Sequence, residues 1–122
     1  MSSKKILIVD DDRDIRMGLG ARLRANDFEV VFAEDGMGAI ATARRESPDL
    51  VLLDIGLPAG NGYVVLDRLR KNTSLSGIPV VVLSARDAEE NEKLALEEGA
   101  IAFFQKPADN ESLIAAIRSA IG

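Results

Sequence analysis

Five short apolar runs recur at nearly even intervals along the chain, and they restrict the possible fold more than any other feature. They cover residues 6–9, 30–33, 50–53, 80–83 and 101–104. The runs are continuous rather than alternating and are rich in Val, Ile and Leu, which is typical of strands that are covered on both faces. We therefore predict five buried strands in a parallel sheet.

The segments that follow the runs predict helices. In the first and the last segment, apolar residues recur every four positions after an aspartate that can cap a helix, Asp12 and Asp109 respectively. The repeated positions are Ile15, Leu19 and Leu23, and then Leu113, Ile117 and Ile121. The segments after residues 35, 62 and 86 have less regular spacing, with inward candidates at Ile40, Leu66, Leu69, Leu94 and Ala95 and a C-terminal stop at Gly99.

Strand and helix alternate five times, with connections that are short enough to require right-handed βα crossovers. A length of 122 residues is close to the common size of one domain, and a hydrophobic share of 47% can fill one core. We therefore expect one doubly wound (flavodoxin-like) α/β domain over residues 1–122. Its sheet would have five parallel strands in the order 2-1-3-4-5, with five helices.

Composition excludes several kinds of chemistry. Fifteen Lys and Arg against 20 Asp and Glu give a net charge of −5, which disfavours direct contact with nucleic acid or an anionic membrane. The sequence has no Cys and no His, so thiolate chemistry, Ser-His or Cys-His pairs and the usual zinc ligands are absent. The first apolar run is too short for a signal peptide or a membrane span, and we expect a cytoplasmic protein.

Carboxylates follow two of the predicted strands. Asp10, Asp11 and Asp12 come directly after the first strand, and Asp54 comes directly after the third. These strands are neighbours in the order 2-1-3-4-5, so the acids converge where ligands bind in such sheets. Two carboxylates about 4 Å apart repel by roughly 4 kcal/mol near a protein surface, which predicts a compensating hard cation such as Mg²⁺. Capping of the first helix is the alternative for these acids, and we assign it to Asp12.

The fourth and fifth predicted strands end in groups that suit a phosphoryl group. Ser84 can donate a hydrogen bond to a phosphoryl oxygen, and Lys106 can pair with one as a point charge. Taken singly, Ser84 fits a turn and Lys106 fits a solvated loop. Together with the acids they predict a site that binds a cation and accepts a phosphoryl group on a carboxylate.

Four segments resemble the receiver domain of two-component response regulators, and the resemblance covers essentially the whole chain. They are ILIVDDD at residues 6–12, PDLVLLDIGLP at 48–58 with a glycine at 62, IPVVVLSA at 78–85, and KP at 106–107. Each segment alone is weak evidence. The four in this order and spacing are specific, so we expect a phospho-acceptor switch rather than an enzyme that turns over external substrates.

The resemblance implies a role for each residue of the site. Asp54 would be phosphorylated, Asp11 would bind Mg²⁺ directly and Asp10 through water, and Gly56 would offer its carbonyl to the metal. Ser84 and Lys106 would contact the phosphoryl group. The donor would be a histidine kinase or a histidine phosphotransfer protein in trans or in a missing segment, since this chain has no His. The bond between Lys106 and Pro107 is often cis in the family.

The switch that the resemblance implies is a population shift of the fourth and fifth βα segments, read by a downstream protein that the sequence does not identify. Phe103 stands where relatives carry an aromatic residue that changes rotamer. An ordinary core aromatic residue is an equally supported interpretation of Phe103. Residues 99–103 (GAIAF) lack the acidic pair of many DNA-binding relatives, which argues against their mode of dimerisation. The chain would be a stand-alone receiver or part of a longer protein.

Three rival functions fit the sequence less well. A haloacid-dehalogenase-like phosphatase needs a second aspartate two residues after its nucleophile, and Gly56 stands there. A flavin or nucleotide module cradles phosphate on a glycine-rich first loop, whereas this first loop is acidic at residues 10–12. A receiver that serves only for docking would not need the complete set of acidic, hydroxyl and lysine positions found here.

Overall fold

The computed structural model describes residues 3–57 and 62–122, and these residues form a five-stranded parallel sheet with helices on both faces. The strands are β1 (Lys5–Val9), β2 (Glu29–Ala33), β3 (Leu50–Leu53), β4 (Val80–Ser84) and β5 (Ala102–Gln105). The helices are α1 (Arg13–Ala25), α2 (Gly36–Glu46), α3 (Gly62–Lys71), α4 (Ala88–Glu97) and α5 (Asn110–Ile121). The sheet order is β2-β1-β3-β4-β5, so the predicted fold is confirmed.

The sheet divides the core into two layers, because successive side chains of a strand point to opposite faces. Leu7, Val9 and Leu53 face the layer that α2, α3 and α4 cover, in which Leu66 and Leu69 are buried. The other layer, under α1 and α5, contains the alternate strand residues together with Leu23, Leu113 and Ile117. The continuous apolar runs in the sequence follow from this arrangement, since both faces of the sheet are covered.

Helices α1, α2, α4 and α5 each begin after an aspartate that satisfies free backbone N–H groups of the first turn. Asp12 accepts hydrogen bonds from the N–H groups of Asp14 and Ile15, and Asp109 accepts one from Ser112, so both predicted caps are confirmed. Asp35 and Asp87 cap α2 and α4 in the same way. Placing an aspartate at each of these helix starts also crowds acids at the end of the sheet where the strands finish.

Two predictions of local structure need correction. Leu94 is not an inward residue of α4: its side chain is 42% exposed, and Ala95 is the buried residue of that helix. Strand β5 runs over Ala102–Gln105, one residue later than predicted, and Ile101 is 50% exposed. Gly99, with φ +112°, follows the end of α4 as predicted. No helix in the described part of the chain is both long and apolar enough to cross a lipid bilayer.

Candidate functional site

Three carboxylates from two neighbouring strands meet at the carboxyl end of the sheet. Val9 and Leu53 are partners in the ladder between β1 and β3, and the next residue of each strand is an aspartate. The Asp54 N–H donates to the carbonyl of Val9 at 2.9 Å, which fixes the two strand ends together. Asp10, Asp11 and Asp54 each offer a carboxylate oxygen, and these oxygens lie within 4.8 Å of one another. The group has the composition and spacing to hold a metal ion.

The ammonium of Lys106 lies against two of these acids. Its Nζ is 2.6 Å from Oδ2 of Asp10 and 3.5 Å from Oδ2 of Asp54. Burial raises the pKa of Asp10, and the hydrogen bond from Lys106 only partly opposes this effect. Burial would lower the pKa of Lys106, but its hydrogen bond with Asp10 and the charges of both acids outweigh burial and raise it. The ammonium therefore stays charged and neutralises part of the acidic group.

Each polar group of Asp10 takes part in a hydrogen bond: its N–H, its carbonyl and both carboxylate oxygens. Its N–H donates to the carbonyl of Ala33 at 3.1 Å, and its Oδ1 accepts from the N–H of Asp12 at 2.9 Å. Its carbonyl accepts from the guanidinium of Arg16 at 2.7 Å. The Arg16 side chain is only 13% exposed and also lies 3.9 Å from the carboxylate of Glu34. Asp10 thus has little freedom to turn away from the other acids.

Sequence reasoning missed Arg16. The residue lies one turn into α1, and long helical side chains there point back toward the helix N-terminus, which is where Asp10 lies. This preferred direction of helical side chains was the sequence signal that could have identified Arg16 as a site residue.

The residues after Asp54 are arranged around its carboxylate and backbone. The N–H of Gly56 donates to Oδ1 of Asp54 at 2.8 Å. Helix α3 begins at Gly62, whose N–H donates to the carbonyl of Ile55 at 3.0 Å. A Cβ at Gly62 would overlap the Cα of Ile55 and lie 2.6 Å from the carbonyl oxygen of Asp54. Only glycine allows α3 to approach the acidic residue this closely. Pro58 of the resembling segment lies outside the described residues.

Ser84 and Lys106 lie side by side at the ends of β4 and β5. Ser84 has no exposed surface, and its Oγ accepts from the N–H of Arg86 at 3.2 Å. The N–H of Lys106 donates to the carbonyl of Ser84 at 2.7 Å. Strand β4 pairs with β3, so the ends of four adjacent strands, β1, β3, β4 and β5, supply the candidate site. The Lys106–Pro107 peptide bond is cis.

Phe103 lies in the core rather than at the surface. Its side chain is 8% exposed and belongs to the layer under α2, α3 and α4. It lies on β5, three residues before Lys106, and pairs with Val82 in the β4 ladder. This buried position fits both interpretations of Phe103, as an aromatic residue that changes rotamer and as an ordinary core aromatic residue.

The doubly wound fold, the acids at the switch point and the lysine beside them define a class of signalling domain. The family model described as the response regulator receiver domain matches residues 6–118. The protein PilH of Pseudomonas aeruginosa is 36% identical over 117 residues, covering 96% of this chain and 97% of PilH. This chain belongs to the response regulator receiver family, as the resemblance in the sequence predicted.

Longer relatives and solved structures agree with this assignment. The response regulator PleD of Caulobacter vibrioides is 40% identical over 118 residues, and the chain spans 26% of its length. The phosphate regulon regulatory protein PhoB of Escherichia coli is 37% identical, with 51% of its length covered. A putative response regulator from Chloroflexus aurantiacus superposes with a TM-score of 0.92 at 27% identity, over 98% of each chain. The BeF3-activated receiver domain of Klebsiella pneumoniae RstA gives 0.88 at 34% identity, over 97% of this chain and 98% of that one.

Proposed function

We propose that this chain is a phospho-acceptor switch in which Asp54 accepts a phosphoryl group in a Mg²⁺-dependent reaction. The observation that carries the proposal is the position of the Asp54 carboxylate. It belongs to a group of acids that can hold a cation, and it lies 3.5 Å from the ammonium of Lys106. The proposal covers residues 1–122 as one receiver domain.

The residues that would hold Mg²⁺ are Asp10, Asp11 and Asp54, with the carbonyl of Gly56 as a further ligand. Their oxygen atoms suit a hard divalent cation, and three carboxylates leave positions for water and for a phosphoryl oxygen. Bound Mg²⁺ would neutralise charge on the transferring group and orient it toward Asp54. Asp11 is the exposed member of the three and Asp10 is almost fully buried. By the family resemblance, Asp11 would bind the metal directly and Asp10 through water.

The transfer conserves atoms and charge. An oxygen of Asp54 attacks the phosphorus of a phosphohistidine on a kinase or phosphotransfer protein, and the bond from phosphorus to the histidine nitrogen breaks. The electron pair of that bond returns to the nitrogen, and the product is an aspartyl phosphate. Lys106 pairs with the phosphoryl oxygens, and the hydroxyl of Ser84 donates to one of them. The reaction uses no external substrate other than the phosphodonor.

The phosphorylated state would be read through the fourth and fifth βα segments. Ser84 ends β4 and Lys106 follows β5, so new hydrogen bonds from these side chains to the phosphoryl group pull on the loops that lead to α4 and α5. A conformation that the free domain seldom adopts becomes favoured. A downstream protein recognises that conformation. We expect the domain to act in the cytoplasm, and its net charge of −5 favours protein contacts over nucleic acid or a membrane.

Intact mass spectrometry tests the proposal. Incubation with phosphoramidate and Mg²⁺ should add one phosphoryl group, and chelation of the metal before the donor is added should prevent it. Asp54→Ala should remove the label. Asp35→Ala is a matched control, because Asp35 is an aspartate at the same end of the sheet whose carboxylate only caps α2. A label that survives in Asp54→Ala would reject Asp54 as the acceptor, and a wild-type chain that takes no label would fit docking alone.

A further inference from the structure

A cavity of about 470 Å³ opens at the amino end of the sheet, opposite the candidate site. The residues that line it come from the last turn of α2, the segment before β3 and the loop between α3 and β4. Cavities of about 300–1,000 Å³ are the usual size of small-molecule sites in proteins. None of the lining residues belongs to the candidate phosphoryl site, so a ligand here would not compete with it.

The inner wall of the cavity is apolar. Leu75 is 3% exposed, Ala43 is fully buried, and Ile78 packs against the core layer to which both belong. An apolar group placed against this wall leaves water, which favours its binding. The wall therefore suits a ligand that has an apolar portion.

Four side chains that line the cavity carry donors with no acceptor among residues 3–57 and 62–122. In that part of the chain, no hydrogen bond or ion pair involves the guanidinium of Arg44 or the hydroxyls of Ser47 and Ser74. Asn72 accepts through its Oδ1 from the N–H of Ser74 at 2.9 Å, and its Nδ2 has no acceptor there either. A ligand with several acceptor oxygens would satisfy these donors.

The charges around the cavity favour an anion. No acid is among the residues that line it. Glu46, which precedes Ser47, is already paired with Lys5 at 3.2 Å and with Arg45 at 3.3 Å. Arg45 also offsets the negative end of the α2 dipole, because it lies in the last turn of that helix. Arg44 therefore remains as an unpaired cation at the cavity.

Ser47 brings its hydroxyl to the cavity from an unfavourable backbone conformation. Its φ of 47° and ψ of 59° lie in the left-handed region that favours glycine. The residue before a proline prefers an extended backbone, and Pro48 follows. Residues other than glycine in such conformations cluster at functional sites. Serine supplies a donor at this position that glycine would not.

We propose that this cavity binds a small organic anion, namely a phosphate or carboxylate joined to an apolar group about the size of one ring. The anionic oxygens accept hydrogen bonds from Arg44 and Ser47 at the end of α2, and from Asn72 and Ser74 after α3. The apolar group lies against Leu75. The planar fork of a guanidinium fits the oxygens of a phosphate and of a carboxylate alike.

Matched probes test the charge and the apolar group separately. Phenyl phosphate and benzoate carry both features, benzylamine carries a ring with the opposite charge, and inorganic phosphate carries no ring. Each is titrated into the full chain in the presence of EDTA and followed by the amide shifts of an NMR spectrum. EDTA removes divalent cations that would draw an anion to the acids at the carboxyl end of the sheet.

Phenyl phosphate or benzoate should shift the amide signals of residues 43–48 and 72–78. The tighter of the two should bind roughly tenfold more tightly than benzylamine or inorganic phosphate, because only the organic anions satisfy the donors and cover the apolar wall. The comparison of phenyl phosphate with benzoate decides which of the two anionic groups the cavity prefers.

Two variants test the residues that would bind the anion. Arg44→Ala should weaken binding of the preferred probe roughly fivefold, as expected for one charge-assisted contact that is partly open to water. Ser47→Gly should weaken it roughly threefold, while its unfolding midpoint stays equal to that of the wild type or rises. Arg45→Ala is the matched control and should bind as the wild type does. Arg45 lies in the same turn of α2 as Arg44 but pairs with Glu46 and does not line the cavity.

Three results would overturn the inference. In the first, none of the four probes shifts the signals of residues 43–48 and 72–78. In the second, benzylamine binds as tightly as the organic anions, so that charge plays no part. In the third, Arg44→Ala binds the preferred probe as tightly as Arg45→Ala does. Each of these results would leave the proposed phosphorylation of Asp54 intact, because the cavity shares no residue with that site.

Discussion

The half of the molecule around the ends of β1 and β3 is held more firmly than the half around α4. At the ends of β1 and β3, Asp10 and Asp54 are almost fully buried and are tied by hydrogen bonds to Ala33, Val9 and Lys106. On the other side, α4 buries only Ala95, while Leu94 and Leu96 are 42% and 43% exposed. The half that would perform the chemistry is therefore tightly packed, and the half that would report it is lightly anchored.

Two polar contacts attach the first half of helix α4 to its surroundings. The hydroxyl of Tyr63 donates to Oδ1 of Asn91 at 2.8 Å, and the N–H of Ala88 donates to Oε1 of Gln105 at 3.2 Å. Segments with little buried apolar surface move at a small cost in free energy. A change in the loop after Ser84 can therefore shift α4 at a small cost in free energy.

The largest predicted effect is on the tightly packed half. Gly62→Ala should lower the free energy of unfolding by about 3 kcal/mol or more, because the new methyl group would overlap the backbone of Asp54 and Ile55. Urea denaturation measures the change. Gly77→Ala is the control, since a Cβ there has no neighbour within 4 Å and should be nearly neutral. A loss below about 1 kcal/mol in Gly62→Ala would show that α3 is not closely apposed to the acidic residue.

A matched pair of leucines compares the two halves directly. Leu69→Ala in α3 should cost about 3 kcal/mol, because Leu69 is 3% exposed and its removal leaves a cavity. Leu94→Ala in α4 should cost below about 1 kcal/mol, because its side chain is already partly in water. Both values come from urea denaturation of the same chain. Equal losses would contradict the proposed difference in anchoring.

Removal of the central ammonium tests the electrostatics of the tight half. Without divalent cations, Lys106→Met should lose roughly 2 kcal/mol of stability, because Asp10 and Asp54 then face each other without a neutralising charge. Added Mg²⁺ should stabilise this variant more than it stabilises the wild type, as thermal denaturation would show. Lys93→Met is the control, since Lys93 is 88% exposed on α4 and should change neither value. Identical responses of Lys106→Met and wild type to Mg²⁺ would argue against a cation among these acids.

The smallest predicted effect concerns the attachment of α4. Tyr63→Phe should lose about 1 kcal/mol at neutral pH through the hydrogen bond to Asn91. Burial, and to a smaller extent Glu98, raises the pKa of Tyr63 above its usual 10.0. The folded state then keeps the phenolic proton longer than the unfolded state, so this contribution to stability is present below pH 10.0 and falls as the pH rises above it.

The difference between wild type and Tyr63→Phe should therefore narrow in urea denaturation as the pH rises from about 8 to about 11. Removing Asn91 in both chains completes a double-mutant cycle. The cycle should show that most of the loss at neutral pH depends on the pair rather than on either residue alone. A difference that stays constant with pH, or a coupling energy of zero, would mean that the phenol does not connect α3 to α4.

Most of the fold could be predicted because strands covered on both faces leave a signal that few other structures produce. The runs at residues 6–9 and 50–53 are apolar at every position, and the structure buries both faces of these strands. In α4 the signal fails. Leu94 and Ala95 are adjacent, about 100° apart around the helix, and a helix with one buried residue has no clear apolar face. The prediction therefore chose both residues when only Ala95 is buried.

The candidate site was predictable to the extent that its residues follow strands. Four site residues stand at strand ends, and the parallel sheet order alone places them at its carboxyl end: Asp10, Asp54, Ser84 and Lys106. Arg16 was not predictable in this way. It contacts a backbone carbonyl that any residue would offer.

The most direct test of the central claim locates the phosphoryl group among the acids at the carboxyl end of the sheet. Borohydride reduces an aspartyl phosphate to homoserine, which marks the acceptor permanently for peptide sequencing by mass spectrometry. After treatment with phosphoramidate and Mg²⁺, homoserine should appear at residue 54 and at no other acid of the site. Homoserine at residue 10 or 11, or its absence from residue 54 in a labelled chain, would contradict the account.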